Sequence, residues 1–208
     1  MTQTVSEWHP GCSTITRLFI WLNYSGSVSG SYIFANGDYS FVGGGNTNSA
    51  IGSGSGVVSG CQNSAAGIYS FVGGGGTNLV DGASNYSTIS GGYQSTICNA
   101  GYSHAFIGGG CVNRVAANCS SVVGGANNLV AGAYSAILGG SGNTVSAAYE
   151  YAGIFGCNIT TQISNALHLE NLWLNPTAYC HNPGVAIGVF PPGTVYVDTL
   201  ANNTLRVQ

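Results

Sequence analysis

One phrase returns along this chain at a nearly fixed interval, and that return limits the fold more than any other feature. The phrase is Tyr-Ser, a short apolar run, Gly-Gly, a polar stretch ending in Asn, an apolar pair and a small turn. Tyr69-Ser70-Phe71-Val72-Gly73-Gly74 leads to Asn78-Leu79-Val80, and Ser121-Val122-Val123-Gly124-Gly125 leads to Asn128-Leu129-Val130. Anchoring on the first residue after each apolar run gives Gly43, Ser59, Gly73, Gly91, Gly108, Gly124, Gly139 and Gly156. From 43 to 156 these mark seven steps averaging about 16 residues. A unit this short, with two apolar segments, cannot hold a pair of helices. It fits one coil of a parallel β-solenoid with two strands and two corners, each coil burying its apolar face against the next.

Residue chemistry supports that reading. Val, Ile, Phe and Leu at strand positions suit a pleated, half-buried surface. The glycines Gly43, Gly73, Gly91, Gly108, Gly124 and Gly139 are expected at structural corners, supplying positive φ and close backbone approach. Asn at the following corner is expected to tolerate the left-handed conformation and to stack into side-chain amide ladders. The corners are expected to absorb the variation in period.

Composition narrows function. Three arginines and six carboxylates are the only charged side chains in 208 residues, against about a quarter of an ordinary domain, and net charge is −3. That leaves no basic footprint for nucleic acid and no polybasic membrane patch. No apolar run of membrane-spanning length occurs. Gly is abundant (34 residues), yet 44% apolar residues and 12 Tyr argue against disorder. The chain starts at Met1 with no secretory leader pattern, so lysis as part of a virus particle is the expected way out of the cell. The seven cysteines include no CxxC pair and are expected to be small buried hydrophobes.

Phrases such as Tyr39-Ser40-Phe41-Val42-Gly43-Gly44-Gly45-Asn46 and Val122-Val123-Gly124-Gly125-Ala126-Asn127-Asn128 resemble the head repeats of trimeric autotransporter adhesins. They are still more similar to the YSxxGGGxxNxxxG repeats of phage and large-virus tail-fibre proteins. The resemblance covers residues 38–163. It implies a left-handed β-roll, a homotrimer, a place on a virion surface or outside the cell, and attachment to host surface glycans or other fibre proteins. Residues 1–37 lack the repeat and read as an N-terminal cap or docking segment, with strands at 14–22 and 31–34. Residues 164–208 hold four of the five prolines and read as a β-rich cap, with strands at 166–174, 185–189 and 195–197. That end resembles the region preceding the self-cleaving chaperone of some tail spikes, where chains interweave into a β-prism.

Catalytic chemistry finds little footing. The six carboxylates are scattered; Asp38 and Asp81 lie several coils apart at about 4.8 Å per coil, too far for a glycosidase pair within one chain. His9, His104, His168 and His181 form no HExxH, and no metal or cofactor motif is present. The strongest functional signal is aromatic. Tyr39, Tyr69, Tyr86, Tyr102 and Tyr134, with Tyr149 or Tyr151, stand just before a strand and are expected to form a surface column. Such a column serves either packing or, through an apolar ring and a hydroxyl, binding of sugar. The leading expectation is a non-enzymatic receptor-binding fibre; a self-assembling extracellular filament subunit is the alternative.

Overall fold

A computed structural model describes residues 19–20, 26–99, 103–169, 195–198 and 204–207. The chain divides into two units, 1–170 and 171–208. Within the second, Val195–Asp198 and Thr204–Val207 form an antiparallel pair. The expected strand at 185–189 lies outside the described residues, as do 14–18 of the first expected strand.

The first unit is a parallel β-solenoid of about nine turns, with no helix among the described residues. Each turn gives one strand to a nine-strand sheet and one to a ten-strand sheet, and every strand pairs in parallel with its equivalents in the neighbouring turns. Thus Phe71–Val72 lies between Gly56–Val57 and Thr88–Ile89, and Leu79–Val80 lies between Ser64–Ala65 and Thr96–Ile97. The ladders run beyond 38–163. Gly26–Ser31 and Phe34–Ala35 pair with repeat strands at one end, and Leu167–Leu169 does so at the other.

Most strands are two residues long, one facing out and one in. The inward residues of the ten-strand sheet are Val42, Val57, Val72, Ile89, Ile107, Val122, Ile137 and Ile154, all fully buried. Facing them are Ala50, Ala65, Val80, Ile97, Val115, Val130 and Val145, also fully buried. The core is therefore two facing columns, and no coil can complete its own.

Aligned on these columns, the steps are 15, 15, 17, 18, 15, 15 and 17 residues, from Val42 to Ile154. The variation sits in one corner only. From each inward residue of the ten-strand sheet to the next one of the nine-strand sheet (Val42 to Ala50, Ile107 to Val115) the interval is always eight residues. In the other corner it is seven from Ala50 to Val57, nine from Val80 to Ile89 and ten from Ile97 to Ile107.

The invariant corner is locked by hydrogen bonds. Asn78 is buried, and its Nδ2 donates to the carbonyls of Gly74 (3.0 Å) in its own coil and Gly92 (2.9 Å) in the next. Its Oδ1 accepts from the Ser95 N–H at 3.0 Å. Asn63, Asn128 and Asn143 repeat all three contacts. The ladder expected from the sequence is present, but it joins side chain chiefly to backbone; Asn78 Nδ2 also donates to Asn63 Oδ1 at 3.1 Å. The Asn residues do not adopt the left-handed conformation. That falls on the residue before each of them, as in Thr47, Gln62, Thr77 and Val112, with φ between 56° and 58°.

The corner glycines also need correcting. Gly43, Gly73, Gly91, Gly108, Gly124 and Gly139 do not have positive φ; Gly45, Gly75, Gly92, Gly110, Gly125 and Gly140, further round the corner, do. A Cβ on Gly75 (φ 88°) would lie 2.0 Å from the Gly92 carbonyl oxygen, so strain and collision both exclude one. Gly43, Gly73 and Gly108 directly follow an inward residue, and a Cβ there would come within 2.4 Å of the next coil's carbonyl. Gly91, Gly124 and Gly139 stand one residue later in their coils, where a Cβ has room.

The cysteines are not core residues. Cys61, Cys119 and Cys157 are exposed and Cys98 and Cys111 half-buried; Cys12 and Cys180 lie outside the described residues. The corner geometry puts these positions on the outside of the coil, where a small side chain is tolerated rather than buried.

One coil breaks the Asn ladder. Ser95 takes the Asn position, and its buried Oγ has no hydrogen-bond partner. Ser95→Asn would restore the donors to its own coil and the next, and thermal or urea unfolding should show stabilisation of about 1 kcal/mol. Asn78→Ala should cost about 3 kcal/mol in the same measurement, because two carbonyls and an N–H lose their buried partner. Equal stabilities for the two variants would refute the ladder's role.

Candidate functional site

The candidate site is the variable corner, at the entry to each strand of the ten-strand sheet. The residue three before each inward Val or Ile adopts a left-handed backbone, and its side chain points out of the coil. Tyr39, Tyr69, Tyr86, Tyr134 and Tyr151 occupy this position with φ of 53–59° and are exposed. Tyr102 lies outside the described residues; in its coil the position belongs to His104 (φ 46°). Tyr149 is not part of the column, since Tyr151 fills the equivalent place. Gly54 (φ 66°) and Cys119 (φ 52°) complete the series.

A left-handed conformation costs a non-glycine residue on the order of 1 kcal/mol. Two ladders offset it here. Each corner N–H donates to a carbonyl one coil back: Tyr69 to Ser53 and Tyr86 to Ile68 at 2.8 Å, and Tyr134 to Asn118 at 3.0 Å. The rings also stack. Tyr86 lies 5.4 Å from Tyr69 and 5.0 Å from His104, and Tyr134 lies 4.9 Å from Tyr151, with interplanar angles of 5–23°. Such pairs contribute about 0.5–1.5 kcal/mol each beyond area burial. The expected column therefore exists as stacked segments. Gly54 interrupts it where a Cβ would lie 2.5 Å from the Tyr69 ring, and Cys119 interrupts it between His104 and Tyr134.

Beneath the rings runs a buried row of small residues, Ser40, Ser55, Ser70, Ser87, Ala105, Ser120, Ser135 and Ala152. Ser87, Ser120 and Ser135 tie successive coils, their Oγ atoms accepting from the N–H of Ala105, Ser135 and Ala152 at 3.0–3.2 Å. The Oγ atoms of Ser40, Ser55 and Ser70 have no partner. Only a small side chain fits inside so tight a bend, so the row reads as packing.

Stacked rings cover one another's faces and leave edges and hydroxyls to solvent. The site thus offers a line of phenol groups at coil spacing, with no charged side chain in the line. The longer loops of this corner hold Asp81, whose carboxylate accepts from the Ala83 N–H and from Ser84 Oγ at 2.6 Å, which makes it a turn-forming acid. Arg114 Nε donates to Cys98 Sγ at 3.0 Å on the outer face of the nine-strand sheet. No group of three His, Cys, Asp or Glu capable of holding a metal occurs among the described residues. His104 and His168 are far apart in the ladder, at the corner before Phe106–Ile107 and within the last strand, respectively.

No protein-family model matches the chain, and no curated protein is significantly similar to it in sequence. The class defined by the coordinates is that of parallel β-solenoids.

The corner strain gives a test with a sign. Tyr86→Ala removes two ring contacts and keeps the strain, so it should destabilise by about 2 kcal/mol in urea unfolding. Tyr86→Gly removes the same contacts but relieves the strain, and should be about 1 kcal/mol more stable than the Ala variant. The reverse order would mean that the corner does not carry strain.

Proposed function

We propose that this protein is a structural, receptor-binding module of a virion fibre, working as a left-handed homotrimeric rod with β-rich caps and attaching to host surface glycans. The observation that carries the reading is the tyrosine column on a stiff, uncharged ladder. A continuously hydrogen-bonded solenoid holds its side chains at fixed spacing over many coils. Phenol rings and hydroxyls at that spacing suit the alternating apolar and hydroxylated faces of a sugar chain. With so few charges, neither electrostatic steering nor acid–base catalysis has much to work with. The resemblance of the repeat to tail-fibre and autotransporter-adhesin repeats supports the trimer and the attachment role.

Two measurements test this. Light scattering over a dilution series should give a fixed mass near three times 21.0 kDa. A glycan array probed with the labelled protein should give binding that falls at least tenfold in a Tyr69→Ser/Tyr86→Ser variant whose mass is unchanged. A mass that grows with concentration would identify a self-assembling filament subunit instead. A trimer whose glycan binding is indifferent to the tyrosines would remove the attachment role from this column.

A further inference from the structure

The outward face of the ten-strand sheet has a regularity that the fold alone does not require. Each turn puts two residues on this face, one before and one after the inward Val or Ile. In three turns the first is a large aromatic and the second a glycine: Phe41 with Gly43, Phe71 with Gly73, Phe106 with Gly108. In two turns directly after these, the order inverts: Gly56 with Val58 and Ser121 with Val123. Thr88 with Ser90 is of middling size on both sides. Ala136 with Leu138 and Gly153 with Phe155 put the bulk second. In seven of eight consecutive turns, a large residue in one column stands beside a small one in the other.

Within one chain, part of this has a local cause. The Phe41 and Phe106 rings lie 3.3 Å, and the Phe71 ring 3.6 Å, from where a Cβ of the paired glycine would be. The rings nevertheless remain exposed, as do Val58, Val123, Leu138 and Phe155. A Cβ on Gly56 would likewise lie 3.4 Å from the Phe71 ring of the next turn, but ring packing onto a glycine gives no reason for Ala136 opposite Leu138. The face carries no charged residue in any of these turns. The outer face of the nine-strand sheet differs: its Leu79 stands with Asp81, and the exposed Arg114 occupies the same column.

We infer that this face is where copies of the chain join, in register, with the first column of one copy packed against the second column of its neighbour. The number of copies rests on the homotrimer proposed above. Rotation about an axis parallel to the solenoid moves nothing along that axis, so equivalent residues of symmetry-related copies lie at equal height. Steric fit must then hold between the two columns of a single turn, as it does here. A foreign partner has no reason to match a corrugation that changes turn by turn, whereas a second copy matches it by construction. Seven steps of about 4.8 Å with side chains roughly 10 Å across give an apolar face of about 400 Å². Two such faces remove only about 800 Å², the size of a crystal contact, while three closing about one axis remove about 1,200 Å² and hold each chain by two neighbours at once.

The test introduces charge on the face of the full chain and measures mass. Phe71→Glu should reduce the mass from three chains to one, 21.0 kDa, with the β-sheet circular dichroism spectrum retained. Ser64→Glu, outward on the nine-strand sheet, should leave three. Should Phe71→Glu fail to fold, Thr88→Cys combined with Ser90→Cys replaces it. The double variant should then form covalent trimers on a non-reducing gel, beyond any species seen in the parent or in either single variant. A trimeric parent whose mass survives Phe71→Glu, or whose double cysteine variant gives no new crosslink, overturns this interface and leaves the trimer standing. A monomeric parent overturns the trimer itself, and this face with it.

Discussion

Everything in this solenoid hangs on the corner where a buried Asn bonds two layers of backbone. A two-residue strand makes too few ladder hydrogen bonds to fix its own register, and a core of one Val and one Ala or Ile per side is thin. The Asn side chain removes the ambiguity by holding a carbonyl of its own coil, a carbonyl of the next and the N–H that follows. Those three bonds set the rise between coils and the phase of the chain around the corner. The glycines at Gly75 and its equivalents are the complement, because the Asn-bonded carbonyls sit where a Cβ would be. This corner therefore has one length in every turn, and all insertion is pushed to the other.

The opposite corner is free to vary because it is held by backbone ladders and ring stacking, neither of which needs a fixed loop. Where the loop lengthens before Ile89, Ile107 and Ile154, the left-handed residue still arrives three positions ahead of the inward side chain. The proposed binding column and the proposed interface both lie on this tolerant edge and on the outward face next to it. The locked edge has no such latitude, since its Asn side chains already bind the backbone of two coils.

Much of this was legible in the sequence. The period, the two strands per turn, the buried Val and Ile columns and the existence of an Asn ladder all follow from spacing and residue type. Finer placement was not. Gly91 and Gly124 look like Gly73 in sequence, because a Gly-Gly pair reads the same when shifted by one residue; only the inward columns show the shift. The positive φ belongs to a later glycine because the turn completes two residues after the strand. Tyr102 was the natural choice in its coil, yet His104 holds the place, since alignment to the inward Ile107 and not residue type selects the ring. The cysteines, small and apolar, gave no sign that they would line the outside.

Sequence by itself determined that the chain is a stack of like coils, that its interior is aliphatic and that its surface is almost uncharged. Those properties are set by composition and period, which need no coordinates. Tertiary structure decided which residues become neighbours across fourteen to eighteen positions: Asn78 with Gly92, Tyr86 with His104, Phe71 with Gly56. The reason is geometric. Coil length varies from turn to turn, so contacts between coils follow the stacking of the inward columns, and an average period cannot supply that alignment.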